Sequence, residues 1–393
     1  MNFFKTISFL ILASCLTYVN TSSQVKDSSA VADSLLLLQL QKSMQPATPS
    51  TPAAQAPTAP AAAPRSTLST NPAISAIGDF RTSYINIGPR KLDLYFNQLE
   101  LQVSSVVDPY ARADFMFSFS KDMTTGEIGS DLEIATLTSL TLPYQLQLTL
   151  GKFKPVIGKI NILHPHAFSF VDFPKMTANY FDGEGMALEG ASLSWLVPNP
   201  YDFYQELTIE AGRVGAEPNA SFVRGENSQL TYVSHLKNFF EVSDNSTLEF
   251  GITGLNGPDR FGYSTTMGGL DLTYKWKPVQ YNVLQSFTWQ NELLLSNMRM
   301  SDAAVAKTHG AYSLAEYQFA QRWYVGGRYD YSQYPDDASR RDIAETALLR
   351  FQPTEFQIVA LEFQHTDRNY DRSTNQVIIR FIFGIGTHAA HSY

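Results

Sequence analysis

In "PYARADFMFSFSKD", Ala111, Ala113, Phe115, Phe117 and Phe119 fall on one side of an extended chain. Arg112, Asp114, Met116, Ser118 and Ser120 fall on the other. A period of two marks a β-strand with one greasy and one wet face. The pattern recurs from Asn71 onward, in "AISAIGDFRTSYI", "KLDLYFNQLELQVSSVV", "SDLEIATLTSLTL", "FYQELTIEAG", "STLEFGITGL", "GAYSLAEYQFA", "EFQIVALEFQH" and "NQVIIRFIFGIG" among others. Counting all such runs predicts about sixteen strands. No segment holds the ~18 consecutive apolar residues of a membrane helix, and "LLLLQL" at 35–40 is too short. Strands of this kind can stack their apolar faces together in a soluble sandwich. They can also turn those faces to lipid. In lipid every backbone N–H and C=O needs an internal partner, so the sheet must then close on itself. Alternation alone does not separate the two.

The connections favour closure in lipid. "VDPY", "LPY", "VPNPY", "KPVQ", "FAQR" and "QPTE" are short. Between them, alternately, lie polar links such as "KDMTTGEIGS", "AEPNASFVRGENS" and "DRNYDRST". Short turns at one end and longer loops at the other are the pattern of outer-membrane barrels, and an even strand count leaves both chain ends on the short-turn side. Aromatic residues make up 13% and charged residues only 17%, an unusual balance for a soluble globule. The net charge of −8 argues against a nucleic-acid partner. The expected fold is all-β: a closed transmembrane antiparallel β-barrel of about sixteen strands, spanning 71–393. Trp195, Trp276, Trp289 and Trp323 lie in or near strand ends, where interfacial aromatic girdles form.

The N-terminal quarter reads differently. "MNFFKTISFLILASCLTYVNTSS" (1–23) has a lysine followed by a short apolar core, the build of a secretory signal peptide. "LASC" is compatible with lipidation of Cys15, the single cysteine, or with an ordinary signal cleaved near Ser23. Residues 24–45 suit a short helix with Val31, Leu35, Leu38 and Leu40 on one face. Residues 46–70, beginning "PATPSTPAAQAPTAPAAAP", form a Pro/Ala-rich linker that cannot pack a core and is expected in the periplasm. The expected location is the cell outer membrane.

One stretch interrupts the alternation. "GKFKPVIGKINILHPHAFSFVDFP" (151–174) carries Lys152, Lys154 and Lys159, two histidines and three prolines, with no acid before Asp172. It belongs to the longest link, 151–184, between the fifth and sixth strands. Leu146, Leu148 and Leu150 share a face, and continuing it would turn Lys152 and Lys154 to lipid. A lysine at the bilayer midplane costs roughly 2–4 kcal/mol. The strand is therefore expected to bulge or end near Gly151, or to carry its lysines at the rim. A basic loop folded inward would favour anions at a constriction; a surface loop would hold the same lysines in water. Lys152, Lys154, Lys159, Arg112, Asp172 and Glu184 are the candidate residues of the solute path.

The region from "NPAISAIGDF" to the end resembles outer-membrane porin-like proteins distantly similar to the phosphate-selective porin family. The resemblance rests on "VVDPYARADFMFSF", "GKFKPVIGKINILHPHAFSFVDFP", "GEGMALEGASLSWLVP" and "FGIGTHAAHSY". It implies a channel for passive diffusion of small hydrophilic solutes, a third external loop folded into the lumen, a homotrimer, and no cofactor. The arginine ladder of phosphate-selective porins is missing, since there is no dense arginine run. The C-terminal strand also resembles the signal read by barrel-assembly machinery, although seven residues follow Gly386. Outer-membrane lipid and small hydrophilic solutes complete the expected partners.

Two histidine pairs, His164 with His166 and His388 with His391, are candidate metal ligands. The expected topology puts the pairs at opposite ends of the barrel, which disfavours one four-histidine site. No nucleophile elbow, HExxH or Gly-rich phosphate loop is present, and no enzyme activity is expected. A non-conducting structural anchor and a metal-related receptor are the alternatives to a channel.

Overall fold

The computed structural model describes residues 72–386, except 88–91, 122–125, 182, 184, 202, 216–218, 226–228 and 282. The chain divides into two units, Met1–Thr67 and Leu68–Tyr393. The signal peptide, helix and linker expected before residue 71 lie outside the described residues, as do His388, His391 and Glu184.

The second unit is a closed barrel of sixteen antiparallel strands, each paired with its sequence neighbours and the last with the first. They are β1 (Ala73–Ile85), β2 (Leu92–Asp108), β3 (Ala111–Lys121), β4 (Ile128–Ser139), β5 (Leu146–Phe153), β6 (Leu188–Leu196), β7 (Tyr204–Val214) and β8 (Thr231–Ser243). Then come β9 (Ser246–Pro258), β10 (Ser264–Trp276), β11 (Ser286–Arg299), β12 (Val305–Ala320), β13 (Trp323–Tyr334), β14 (Asp337–Thr354), β15 (Gln357–Arg368) and β16 (Thr374–Gly386). The seam pairs Phe80 with Phe381 and Ile77 with Gly384.

The period-two faces turn as expected. Phe115 and Phe117 are 41% and 36% exposed on the outer surface, whereas Met116 and Ser118 are 3% and 6% exposed on the inner one. Outward rows such as Ile379 with Phe381, and Leu361 with Phe363, continue the apolar belt around the barrel. Such a belt needs to be only ~25 Å tall. The strands are longer than a membrane requires: β14 has 18 residues, against the ~9–11 of a minimal spanning strand. Several links read as loops from sequence are therefore strand. "YPDDASRRD" shrinks to the two residues between Tyr334 and Asp337. Above the lipid both faces of a strand meet water. The alternation fades there although the hydrogen-bond ladder continues.

All four tryptophans lie at the short-turn end: Trp195 and Trp276 close β6 and β10, and Trp289 and Trp323 lie early in β11 and β13. Trp323 packs on Phe351 at 4.6 Å between centroids. Tyr110, Tyr144, Tyr201, Tyr281 and Phe356 stand exposed on the turns below. Amphipathic rings at one level form an interfacial girdle.

Candidate channel constriction

The described residues of the 154–187 connection between β5 and β6 lie inside the barrel. Its entry is set at Gly151, whose φ of +126° is open to glycine and strained for any other residue. A Cβ at Gly151 would also run into the Ala135 carbonyl. The ladder nevertheless runs on through it, with Lys152 opposite Ala135 and Glu189, and Lys152 Nζ pairs with Asp131 at 3.0 Å instead of meeting lipid unpaired. Asn161 then ties the two ends of the loop together. Its amide donates to Pro155 O (2.8 Å) and Met186 O (3.1 Å), and its carbonyl accepts from Met186 N (2.7 Å).

Residues inside the barrel must have their backbone groups satisfied just as core residues do. Here the wall supplies the partners. Glu210 of β7 accepts from Val156 N (2.9 Å). One oxygen of Glu292 on β11 accepts from both Lys159 N (3.0 Å) and Ile160 N (2.9 Å). Glu362 of β15 accepts from Val171 N (2.7 Å), and Asp330 of β13 from Lys175 N (3.3 Å). The loop's carbonyls meet arginines: Arg328 of β13 donates to Asp172 O (2.6 Å), and Arg380 of β16 to Pro165 O (2.9 Å). Acids thus hold N–H groups and arginines hold C=O groups.

Between these polar pegs the loop is apolar. Ile157, Ile160, Phe168, Phe170, Val171 and Phe173 form one buried cluster with inward-facing Val233, Leu255, Leu294, Leu314, Leu348 and Ile378 of the wall. A short helix, α1 (Lys175–Phe181), buries Met176, Thr177, Tyr180 and Phe181 and packs on β13 and β12. It comes close to the wall because β12 has a glycine, Gly310, where a Cβ would press on the Met176 side chain. From the next link, Phe222 stacks on Phe181 (6.5 Å, 4°). With Ser169 facing Glu316 and Asn179 facing Asp342, the loop reaches β1, β2, β4, β7, β9 and β11 through β16.

The expected path residues occupy this assembly as follows. Lys159 is buried and pairs with Glu249 at 2.9 Å. Lys154 Nζ points to Leu163 O (3.4 Å). Asp172 pairs with Arg81 of β1 (3.2 Å). Arg112 pairs with Asp114 on the inner face of β3 (2.7 Å), away from the loop's anchors. The His164 and His166 rings stack 5.9 Å apart at 12°. His164 Nδ1 donates to Glu133 Oε2 (2.9 Å), and His166 Nδ1 lies 2.8 Å from Glu100 Oε2. Burial holds both imidazoles below their ordinary pKa, His166 at about 3. Among the described residues no group of three or more His, Cys, Asp or Glu is placed to hold a metal ion.

Sequence reasoning missed the arginines. Arg81, Arg328, Arg350 and Arg380 come from β1, β13, β14 and β16, and all are nearly buried beside the loop. Each sits at an inward parity position, which the alternation could have flagged. Their convergence depends on barrel closure, which brings the two ends of the sequence together.

No family model matches the chain. An uncharacterized protein of Aquifex aeolicus (strain VF5) is 29% identical over 341 residues, covering 76% of this chain and 69% of that one. Among solved structures, the anion-selective porin from Comamonas acidovorans superposes with a TM-score of 0.56 at 11% identity, covering 80% of this chain and 99% of its own. The outer membrane channel DcaP of Acinetobacter baumannii gives 0.55 at 11%, covering 79% and 96%. The trimer form of in-vitro folded OmpT of Vibrio cholerae gives 0.50 at 10%, covering 80% and 100%. At these identities the match establishes the fold, which is that of the outer-membrane porins.

Proposed function

We propose that this porin-fold barrel is an outer-membrane channel for passive diffusion of small hydrophilic solutes, with loop 154–187 governing passage. Its apolar outer belt and closed ladder meet the requirement for spanning lipid with strands. The observation that carries the reading is the loop's position: it lies across the lumen, where a solute crossing the barrel must pass. One matched barrel is an anion-selective porin; the loop carries Lys154 and Lys159, and Lys152 lies at the end of β5 where the loop begins. Yet Lys152 is paired with Asp131 and Lys159 with Glu249, which cancels much of their field. We therefore assign a weak anion preference at most. A homotrimer is the corresponding assembly, since one matched structure is a trimer form.

The test is conductance of the full-length protein in planar bilayers between pH 4.5 and 7.5. Salt-dependent unitary steps support the channel; silence throughout that range overturns it in favour of the anchor reading. Changing Lys152, Lys154 and Lys159 together to Glu reads the charge of the path. A reversal potential shifted toward cation preference supports a path along the loop, and an unchanged one removes the loop from it.

A further inference from the structure

We propose that the outer wall over β12, β13 and β14 is the contact through which this barrel binds a second copy of itself. The contact deepens the homotrimer reading above and rests on it. Its support is a break in the lipid-facing belt. Across six consecutive strands, Asn291, Ser313, Tyr329, Glu345, His365 and Asn375 stand opposite one another in register. All six fall at outward parity, and each carries a hydrogen-bonding group. The row climbs the wall obliquely: Asn291 lies in the half of β11 nearer its short turn, and Asn375 lies at the loop end of β16.

Glu345 is the costly member. Along β14 it has Ile343 above it and Ala347 and Leu349 below, all outward, so its carboxylate lies within the apolar belt, where lipid disfavours charge. Among the described residues it has no ion-pair partner, and Arg341, the next outward cation on its strand, stands four residues above. The Asn291 amide nitrogen is inaccessible and has no hydrogen-bond partner. Just below the row the wall is recessed, because Ala315, Gly327 and Ala347 are register neighbours on β12, β13 and β14. The larger Tyr317, Val325 and Leu349 border that recess from beneath.

The row reaches from the inner-leaflet half of the wall to its outer rim, so a lipid confined to one leaflet covers only part of it. A spanning partner covers all of it. A copy related by rotation about the membrane normal keeps every residue at its own height. With a three-fold axis in front of β13, the β14 side of one copy faces the β12 side of the next. His309 and Lys307 stand outward and exposed on β12. His309 is four residues above Ser313, which raises it by ~10 Å, and two strands back along the climbing row, which lowers it by ~6 Å, for strands tilted roughly 40° and spaced about 4.8 Å apart. It therefore lies within about 4 Å of Glu345 in height. A second copy thus brings a donor to the carboxylate that one copy leaves unpaired, and the recess lets the two sheets approach.

The experiment uses full-length protein in lipid vesicles. A photo-reactive benzoylphenylalanine replaces Ala347 in the recess or, as control, Ile252, an exposed belt residue of β9. Irradiation at position 347 is expected to give multimers of this chain, with the linked peptides coming from β12, and irradiation at position 252 is not. Gly327→Leu fills the recess. A Cβ there meets only the Thr346 carbonyl, at 3.9 Å, so the barrel keeps its fold while the multimer yield falls about tenfold. Hydrogen exchange of the strands reports that each variant has folded. Glu345→Lys should also lower the yield about tenfold through like charges, and adding His309→Glu should restore it. Equal yields from the two positions, adducts to lipid alone from position 347, or a charge swap that restores nothing overturns the contact. Conductance of the same vesicles judges the channel separately. Unitary steps without multimers keep the channel and remove the contact; multimers without steps keep the contact and remove the channel.

Discussion

Glu292 offers the sharpest test of how the loop is held. Its Oε1 accepts from two loop amides, Lys159 N at 3.0 Å and Ile160 N at 2.9 Å, and from the Tyr312 hydroxyl of the wall at 2.7 Å. In Glu292→Ala the Tyr312 hydroxyl of the wall keeps the bond it accepts from Gln290 and loses its own acceptor whether the loop is seated or lifted, while the two loop amides lose theirs only in the seated loop. Leaving a buried donor unsatisfied costs about 1–3 kcal/mol. Two of them weaken seating by about 2–6 kcal/mol, less whatever a water entering the vacated volume restores. Taking about 3 kcal/mol, the lifted population rises roughly 150-fold at 1.4 kcal/mol per decade. Glu292→Gln keeps an oxygen acceptor and should lie between the variant and wild type. The assay is hydrogen exchange at neutral pH, comparing 154–187 with β11 and β12. If the Ala variant protects its loop within threefold of wild type while the strands stay protected, the carboxylate is not an anchor. A loop more protected than wild type would mean that desolvating Glu292 costs more than its hydrogen bonds return.

Three further outcomes follow from the same geometry. Phe170→Ala removes a fully buried ring that packs 5.9 Å from Phe168; the loss of about 3–5 kcal/mol should fall on loop seating, read as larger conductance noise with barrel melting unchanged. Phe117→Lys places a charge on the lipid face and should destabilise folding into vesicles by about 2–4 kcal/mol; an effect under about 0.5 kcal/mol in a denaturant titration would mean that this face is wet. Gly151→Ala puts a side chain at φ +126° against the Ala135 carbonyl, so folded yield should fall at least several-fold; a normal yield with an unchanged loop would show that the strand tolerates a side chain there.

Much of the barrel was legible because lipid enforces a simple rule on one face. The run "AISAIGDFRTSYI" coincides with β1, Ala73–Ile85, and the parity of "ARADFMFSFSK" was read correctly, with its phenylalanines outward. The bend at Gly151 was also legible, since a lysine could not follow Leu146, Leu148 and Leu150 into lipid. The inner face obeys no such rule. Leu294 and Leu348 point inward beside Glu292 and Thr346, and the alternation of β11 and β14 blurs where the loop covers them. Acids such as Glu210 and Glu362 look like ordinary lumen residues in sequence. Their role as acceptors for loop amides arises only when chain segments 54 and 191 positions apart meet. The arginine set was hidden for the same reason.

The seam between β1 and β16 joins residues about three hundred positions apart: Arg380 reaches Asp79 across 301 positions. The same Arg380 grips the loop through Pro165 O, and Val171 holds Glu362 one strand away. The loop therefore clasps the closure from within, as a cooper's former holds staves before the hoop is driven on. A deletion of the loop should therefore show itself first as slow or open-edged assembly, before any change in transport.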